Sequence, residues 1–178
     1  MEERQLIESC VRGEPWAQKM MYELYASSMM SVCRRYVCNR DIAKDLLQDG
    51  FVKLFAKIHT YSGTGSFNGW MRKVFVTTAL NYLRHNDVLR NGIEIDNDDF
   101  DIPENDASPF ENLSADDLFD CIANLPDGYR TVFNMYAIEG YSHTEIAKQL
   151  NISASSSQSR YYYARRLLQK MVMELVEN

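Results

Sequence analysis

Between Ser153 and Lys170 the chain carries four basic residues and no acid. The apolar spacing there predicts one helix, with Tyr161, Ala164, Leu168, Met171 and Leu175 on its inner face. The opposite face then holds Gln158, Ser159, Tyr162, Tyr163 and Arg166, flanked by Arg160 and Arg165. Those side chains suit nucleic acid, because glutamine can bond adenine bidentately and arginine can bond phosphate or guanine. A second stretch raises a different question. HTYSGTGSFNGWM, residues 59 to 71, interleaves Gly63, Gly65, Gly69 and two serines with Tyr61, Phe67 and Trp70. Glycine tolerates any backbone conformation and marks loops, whereas large aromatics gain most by burial. A loop that combines them needs a task that uses both.

Other chemistries lack their residues. No paired carboxylates, nucleophile–base grouping or metal-ligand spacing stands out, so no enzyme, cofactor or metal is expected. The glycines of the loop are not followed by Gly-Lys-Ser/Thr and make no phosphate loop. Cys10, Cys33, Cys38 and Cys121 lack paired CxxC spacing and read as reduced thiols on buried helix faces. His59, His85 and His143 are isolated in sequence and are expected at the surface. No apolar run approaches the ~20 residues of a membrane span. The stretch MEERQLIESC is acidic where a signal peptide is basic and then apolar. A cytoplasmic protein without membrane insertion is expected.

The elements that must position the two stretches all read as helices. A short helix begins near Glu2 and ends at Gly13, and Pro15 suits the first turn of the next. That second helix shows two apolar stripes, Trp16, Met20, Leu24 and Met21, Tyr25, Met29, Val32, Tyr36. A third runs from about Asp41 to His59 with Ile42, Leu46, Leu47, Phe51, Leu54, Phe55 and Ile58 inward. After the glycine loop a fourth runs from about Ser66 to Arg90, with Phe67, Met71, Val74, Phe75 and Leu83 as core. Further on, Ser114-Ala-Asp-Asp resembles a capping box, Pro126 opens a helix that Gly140 closes, and Ser142-His-Thr-Glu145 is a full capping box. Asn151 suits a left-handed turn residue, and Ser153 caps the final long helix. Residues 141–167 thus have the layout of a helix-turn-helix: a short capped helix, a turn, and a second helix with a polar, basic face.

Charge separates the chain further. The formal net charge is −6, which by itself argues against a nucleic-acid partner. Residues 1–92 carry 13 basic and 9 acidic side chains, whereas residues 93–117 carry ten acids and no Lys or Arg. The acidic strip IEIDNDDFDIPENDASPFEN (93–112) has no helical period and reads as a linker extended by self-repulsion. The expected architecture is all-α, with helical domains at 1–92 and 114–178 joined by an acidic flexible linker at 93–113.

Two blocks resemble a known family. DIAKDLLQDGFVKLF followed by YSGTGSFNGWMRKVFVTTALNYLR is similar to region 2 of the sigma-70 family. LPDGYRTVFNMYAIEGYSHTEIAKQLNIS with the following SR and ARRLL is similar to region 4. Only these two regions are present, which is the arrangement of the extracytoplasmic-function (ECF) branch. The resemblance implies a transcription initiation factor that binds core RNA polymerase, recognises −35 and −10 promoter elements and assists melting. It places region 2 on the β′ clamp helices through Asp45, Gln48 and Asp49, backed by Leu46 and Phe55, and region 4 on the β flap. It makes the loop Tyr61, Ser62, Gly63, Thr64, Gly65, Ser66 and Phe67 a pocket for a flipped base, with Arg72, Lys73, Thr77, Asn81 and Arg84 facing −10 DNA. Phe67 and Trp70 read as mostly core, and Tyr61 as the better base contact. The −35 set is Ser156, Gln158, Ser159, Arg160, Tyr162, Tyr163 and Arg166.

The chain departs from the family pattern at Ser157, where an aliphatic residue is common, and at Gln158, where Arg or Lys is. Ser157 is expected to weaken packing of the recognition helix. Promoter DNA and core polymerase are the implied partners, and members of this branch are often held by an anti-sigma protein. The competing readings are a stand-alone helix-turn-helix regulator, which leaves the first half unexplained, and a helical adaptor, which leaves the loop and the acid-free helix unexplained.

Overall fold

The computed structural model describes residues 2–86 and 114–176, and every regular element among them is helical. Packing separates the chain between Tyr82 and Leu83 into two compact units. The acidic strip and the domain boundaries drawn at 92 and 113 lie outside the described residues.

The first unit is built on α1 (Glu3–Val11), α2 (Pro15–Tyr36), α3 (Arg40–Lys57) and α4 (Phe67–His85), with a short 3₁₀ turn at Ile58–Thr60 after α3. Local chemistry sets the starts of α2 and α3. Pro15 occupies the first turn of α2, where its missing N–H costs nothing. Asn39 caps α3, its side-chain oxygen accepting from the amides of Asp41 and Ile42 at 2.9 and 3.1 Å. The core holds Met21, Met29, Tyr36, Leu46, Leu54, Ile58, Phe67, Met71 and Phe75, all buried.

Two expectations fail on α2 and on the cysteines. The stripe Trp16, Met20, Leu24 faces outward, with Leu24 62% exposed. Ala17, Met21, Met29 and Val32 turn to the neighbouring helices instead. A 22-residue helix with two apolar stripes can bury only the one its neighbours cover. Three cysteines are buried as expected, but Cys38 is exposed in the turn after α2. Burial pushes the Cys33 thiol up to about 12, which keeps it protonated and unreactive.

The second unit contains α5 (Ala115–Ala123), α6 (Asp127–Phe133), a π-helical turn at Asn134–Ile138, α7 (His143–Leu150) and α8 (Ala154–Val176). Ser114 accepts from the Asp117 amide at 3.1 Å, and Ser142 with Glu145 forms the complete capping box. Asn151 adopts the left-handed conformation (φ 55°) that turns the chain from α7 toward α8. Cys121, Ile122, Leu125, Tyr129, Ala164, Leu168 and Val172 form one core, against which Leu118, Phe133 and Met171 pack. Arg130 is buried among these helices, and its guanidinium donates to the carbonyls of Ala123 and Leu125 and to the Asp127 carboxylate. It ties the α5–α6 turn by bonding the Ala123 carbonyl at the end of α5 and the Leu125 carbonyl of the turn itself.

Candidate nucleic-acid interface

In the first unit, α3 presents Asp45, Gln48 and Asp49 to solvent on one side. Val52 continues the same stripe and is 68% exposed, although its type suggests core. Its spacing of four residues from Gln48 and three from Asp49 was the signal for it. Leu46 is buried behind this face, and Phe55 is half-buried with its ring 5.9 Å from Phe51. At the start of the helix, the Lys44 ammonium 2.9 Å from Asp41 holds that carboxyl below its ordinary value.

The loop after α3 is organised by its own polar groups. The Tyr61 hydroxyl donates to the Gly65 carbonyl at 2.7 Å, and the Ser62 and Thr64 hydroxyls bond at 2.7 Å. Gly63 and Gly65 both take positive φ, near 75°, which any other residue would adopt only with strain. Ser66 then accepts from the Gly69 amide at 3.3 Å and starts α4. The aromatics divide by depth: Phe67 is buried, whereas Tyr61 and Trp70 are half-buried. Tyr61 meets Phe67 edge-on at 5.2 Å and lies 5.6 Å from Trp70, while Phe67 and Trp70 stack at 5.8 Å. Phe67 therefore supports the loop from below rather than lining its surface. Tyr61, Ser62 and Gly63 border an open cleft of about 580 Å³ whose other wall is Arg4, Ile7 and Glu8 of α1. Sequence reasoning gave α1 no part in the site, because its spacing shows only a short amphipathic helix.

Along α4, Lys73, Thr77, Asn81 and Arg84 are all exposed, at intervals of four, four and three residues that place them in one row. Arg72 is half-buried beside them. The row combines cations with hydroxyl and amide groups and contains no acid.

In the second unit, Ser153 accepts from the Ser156 amide at 3.0 Å, so the first turn of α8 is capped as the sequence predicts. Ser156 is thereby drawn into the cap, with its hydroxyl 2.8 Å from that of Ser153. Gln158, Ser159 and Tyr162 are exposed, and Arg160 is half-buried. Arg166 donates to the Tyr162 hydroxyl at 3.2 Å and lies over its ring at 5.8 Å. Tyr163 departs from its expected place: it packs on the core with its ring 6.1 Å from Tyr129. The inner stripe runs through Ser157, Ala164, Leu168 and Val172, and this phase turns Tyr163 inward while Leu175 is left 52% exposed. The expectation of a surface position for His143 is also corrected. Ser157 is fully buried and His143 half-buried, and the two are hydrogen-bonded at 2.9 Å.

Each unit thus carries an exposed polar face, one beside an aromatic loop and one on the second helix of a helix-turn-helix. The family model for sigma-70 region 2 matches residues 21–88, and that for sigma-70 region 4 matches residues 115–168. The chain belongs to the sigma-70 family. The ECF RNA polymerase sigma-E factor of Haemophilus influenzae is 28% identical over 185 residues, covering 96% of this chain and 95% of that protein. The ECF RNA polymerase sigma-E factor of Escherichia coli K12 is 26% identical over 183 residues, covering 96% and 94%. Among solved structures, CnrH in complex with the cytosolic domain of CnrY has a TM-score of 0.51 at 17% identity, covering 97% of both chains. The sigma factor RpoE of Bartonella quintana, bound to the anti-sigma factor NepR, has a TM-score of 0.52 at 17% identity, covering 87% of this chain and 96% of that one. At that identity these two similarities speak to the fold.

The two region models and the full-length relatives identify an ECF sigma factor, a promoter-directing transcription initiation factor that acts with core RNA polymerase. Its family is not enzymatic. Among the described residues of this sigma factor, no helix is long and apolar enough to cross a membrane. No group of three or more His, Cys, Asp or Glu there could hold a metal ion.

Proposed function

We propose that this sigma factor divides promoter recognition between its two faces. The α3 stripe of Asp45, Gln48, Asp49 and Val52 docks on the polymerase β′ clamp helices, with the second unit on the β flap. The loop of residues 61–67 receives an unpaired −10 base, and the row Lys73, Thr77, Asn81, Arg84 with Arg72 holds the adjoining strand. The exposed side chains of α8 read the −35 element. The domain bounds that go with this reading are 1–92 and 114–178, joined by the strip at 93–113.

The observation that carries the reading is the construction of the loop. Two glycines at positive φ and the Tyr61–Gly65 hydrogen bond hold a half-buried tyrosine at the edge of a cleft, against an aromatic floor. A base removed from the duplex loses its stacking partners, and a fixed aromatic ring with neighbouring hydroxyls and amides replaces them. A simple helix connection needs none of this. The protein acts in the cytoplasm, where polymerase and promoter DNA are. An anti-sigma protein is a further proposed partner, since the solved neighbour RpoE is described in complex with an anti-sigma factor.

Melting of a promoter by the reconstituted holoenzyme tests the loop, read by permanganate reactivity of unpaired thymines. Tyr61→Ala is expected to leave polymerase affinity near wild type and to lower open-complex formation about five- to 150-fold, the range of one lost base–aromatic stack. Tyr61→Phe removes the hydroxyl bond to Gly65 but keeps the ring, and should fall between the two. A template already mismatched at the −10 element should recover most of the lost activity of Tyr61→Ala. Normal melting by Tyr61→Ala, or no rescue on the mismatched template, refutes the base pocket.

A further inference from the structure

Across the helix-turn-helix, α7 and α8 are joined by a buried polar contact. Ser157, in the first turn of α8, has no exposed surface, and its Oγ lies 2.9 Å from Nδ1 of His143, the first residue of α7. The His143 ring is itself held in place. It stacks on Tyr136 with centroids 4.2 Å apart and planes 12° from parallel. Tyr136 packs 4.5 Å from Tyr161, which lies one turn along α8 from Ser157 and 5.9 Å from His143. Phe133 stacks on Tyr161 at 6.0 Å. The imidazole is thus fixed in plane by aromatic contacts and in register by one hydroxyl.

A buried hydroxyl without a partner is costly, so Ser157 is bound to the orientation of α8 in which its Oγ reaches Nδ1. Successive residues of a helix are about 100° apart around its axis, and a turn of α8 by one residue would carry Oγ away from the ring. Gln158 and Ser159 follow directly and are exposed. The bond that orients Ser157 therefore orients them. It also survives a change of tautomer, because imidazole Nδ1 and a hydroxyl can each donate or accept.

We infer that His143 and Ser157 are positioning residues for −35 recognition: their hydrogen bond sets the angle at which α8 presents Gln158 and Ser159 to the base edges. This role rests on the −35 reading of the second unit proposed above. An aliphatic side chain at position 157 could fill the same space but would leave the rotation of α8 to packing alone, which is less directional than a hydrogen bond.

Holoenzyme assembled from core polymerase and the full chain, challenged with a duplex library randomised over the −35 segment, separates the possibilities. Ser157→Ala removes the hydroxyl, and His143→Phe keeps a stacking ring but removes Nδ1. Both should lower discrimination between the preferred sequence and its single-base variants about two- to twelvefold, the range of one lost hydrogen bond. Affinity for core polymerase should stay unchanged. The double variant should be no worse than either single one, since the bond is lost only once. His143→Asn, whose amide oxygen can stand where Nδ1 stood, should recover part of the discrimination despite losing the ring. A purely structural pair would lower the thermal midpoint of all variants and leave the preferred sequences of the folded fraction as they were. Unchanged discrimination in Ser157→Ala and His143→Phe, or losses that multiply in the double variant, overturns the assignment. Should Ser157→Ala fail to fold, the comparison of His143→Phe with His143→Asn still decides, because His143 is only half-buried. A wild-type holoenzyme with no −35 preference would overturn the proposed function together with this role.

Discussion

At the scale of single residues, the −35 reading proposed for α8 gives base contacts and backbone contacts to different side chains. Gln158 is exposed, and a glutamine can pair with adenine through two hydrogen bonds. Replacing it with alanine should change the preferred −35 bases by about 1–3 kcal/mol of discrimination, measured by selection from a promoter library. Arg166 is different. It is half-buried and lies over the Tyr162 ring, to whose hydroxyl it also donates. A guanidinium held against a ring is presented as a fixed charge, suited to phosphate. Arg166→Ala should weaken all sequences alike and reduce the salt dependence of binding by about one unit of slope. A change of sequence preference in Arg166→Ala, or none in Gln158→Ala, would reverse the two assignments.

At the scale of elements, α3, the helix proposed to dock on the polymerase, contains a glycine at a position where helix propensity argues for something else. Gly50 is buried, and a Cβ built on it would lie 2.2 Å from the Phe75 ring. Phe75 has no exposed surface and is held edge-on by Phe51 at 5.1 Å, so its ring has nowhere to retreat. The close approach that glycine permits is between α3 and α4, inside the first unit. Gly50→Ala gains about 1 kcal/mol of helix propensity, but overpacking a filled core costs about 1–3 kcal/mol or more. The net expectation is a lower thermal midpoint for the first unit, with clamp affinity reduced only in proportion to the unfolded fraction. A raised midpoint would mean that Phe75 yields, and that propensity outweighs packing here.

At the scale of the whole molecule, charge is unevenly distributed along an acidic chain. Residues 93–117 carry ten of the 25 acids and none of the 19 Lys and Arg. Acids in the same chain as the faces proposed to bind DNA compete with DNA for them through the same electrostatic term. Replacing Asp96, Asp98, Asp99 and Asp101 with Asn should let the free protein bind promoter fragments more tightly at low salt. The gain should fade as salt rises, because such forces are screened over about 8–10 Å at physiological ionic strength. Equal binding of the two forms at low salt, measured by fluorescence anisotropy, would show that the strip does not mask the faces.

Much of this protein was legible in its sequence because the signals are local. Caps at Ser114, Ser142 and Ser153, the left-handed Asn151 and the proline at the start of α2 act within one turn of the chain, so residue type is sufficient to place them. The two blocks that carry the family resemblance are contiguous for the same reason. What needed tertiary structure was every choice between alternatives that local chemistry leaves equal. Both apolar stripes of α2 satisfy a helical period, and only the positions of its neighbours leave Trp16, Met20 and Leu24 outside. Tyr163 fits either face of α8 by spacing, and Tyr129 together with the surrounding core draws it inward. His143 looks like an isolated surface histidine, and Ser157 like a residue that weakens packing, until the turn at Asn151 brings their helices together. Periodicity gives the angle between residues on one helix, but the direction of the core is a property of what packs against it.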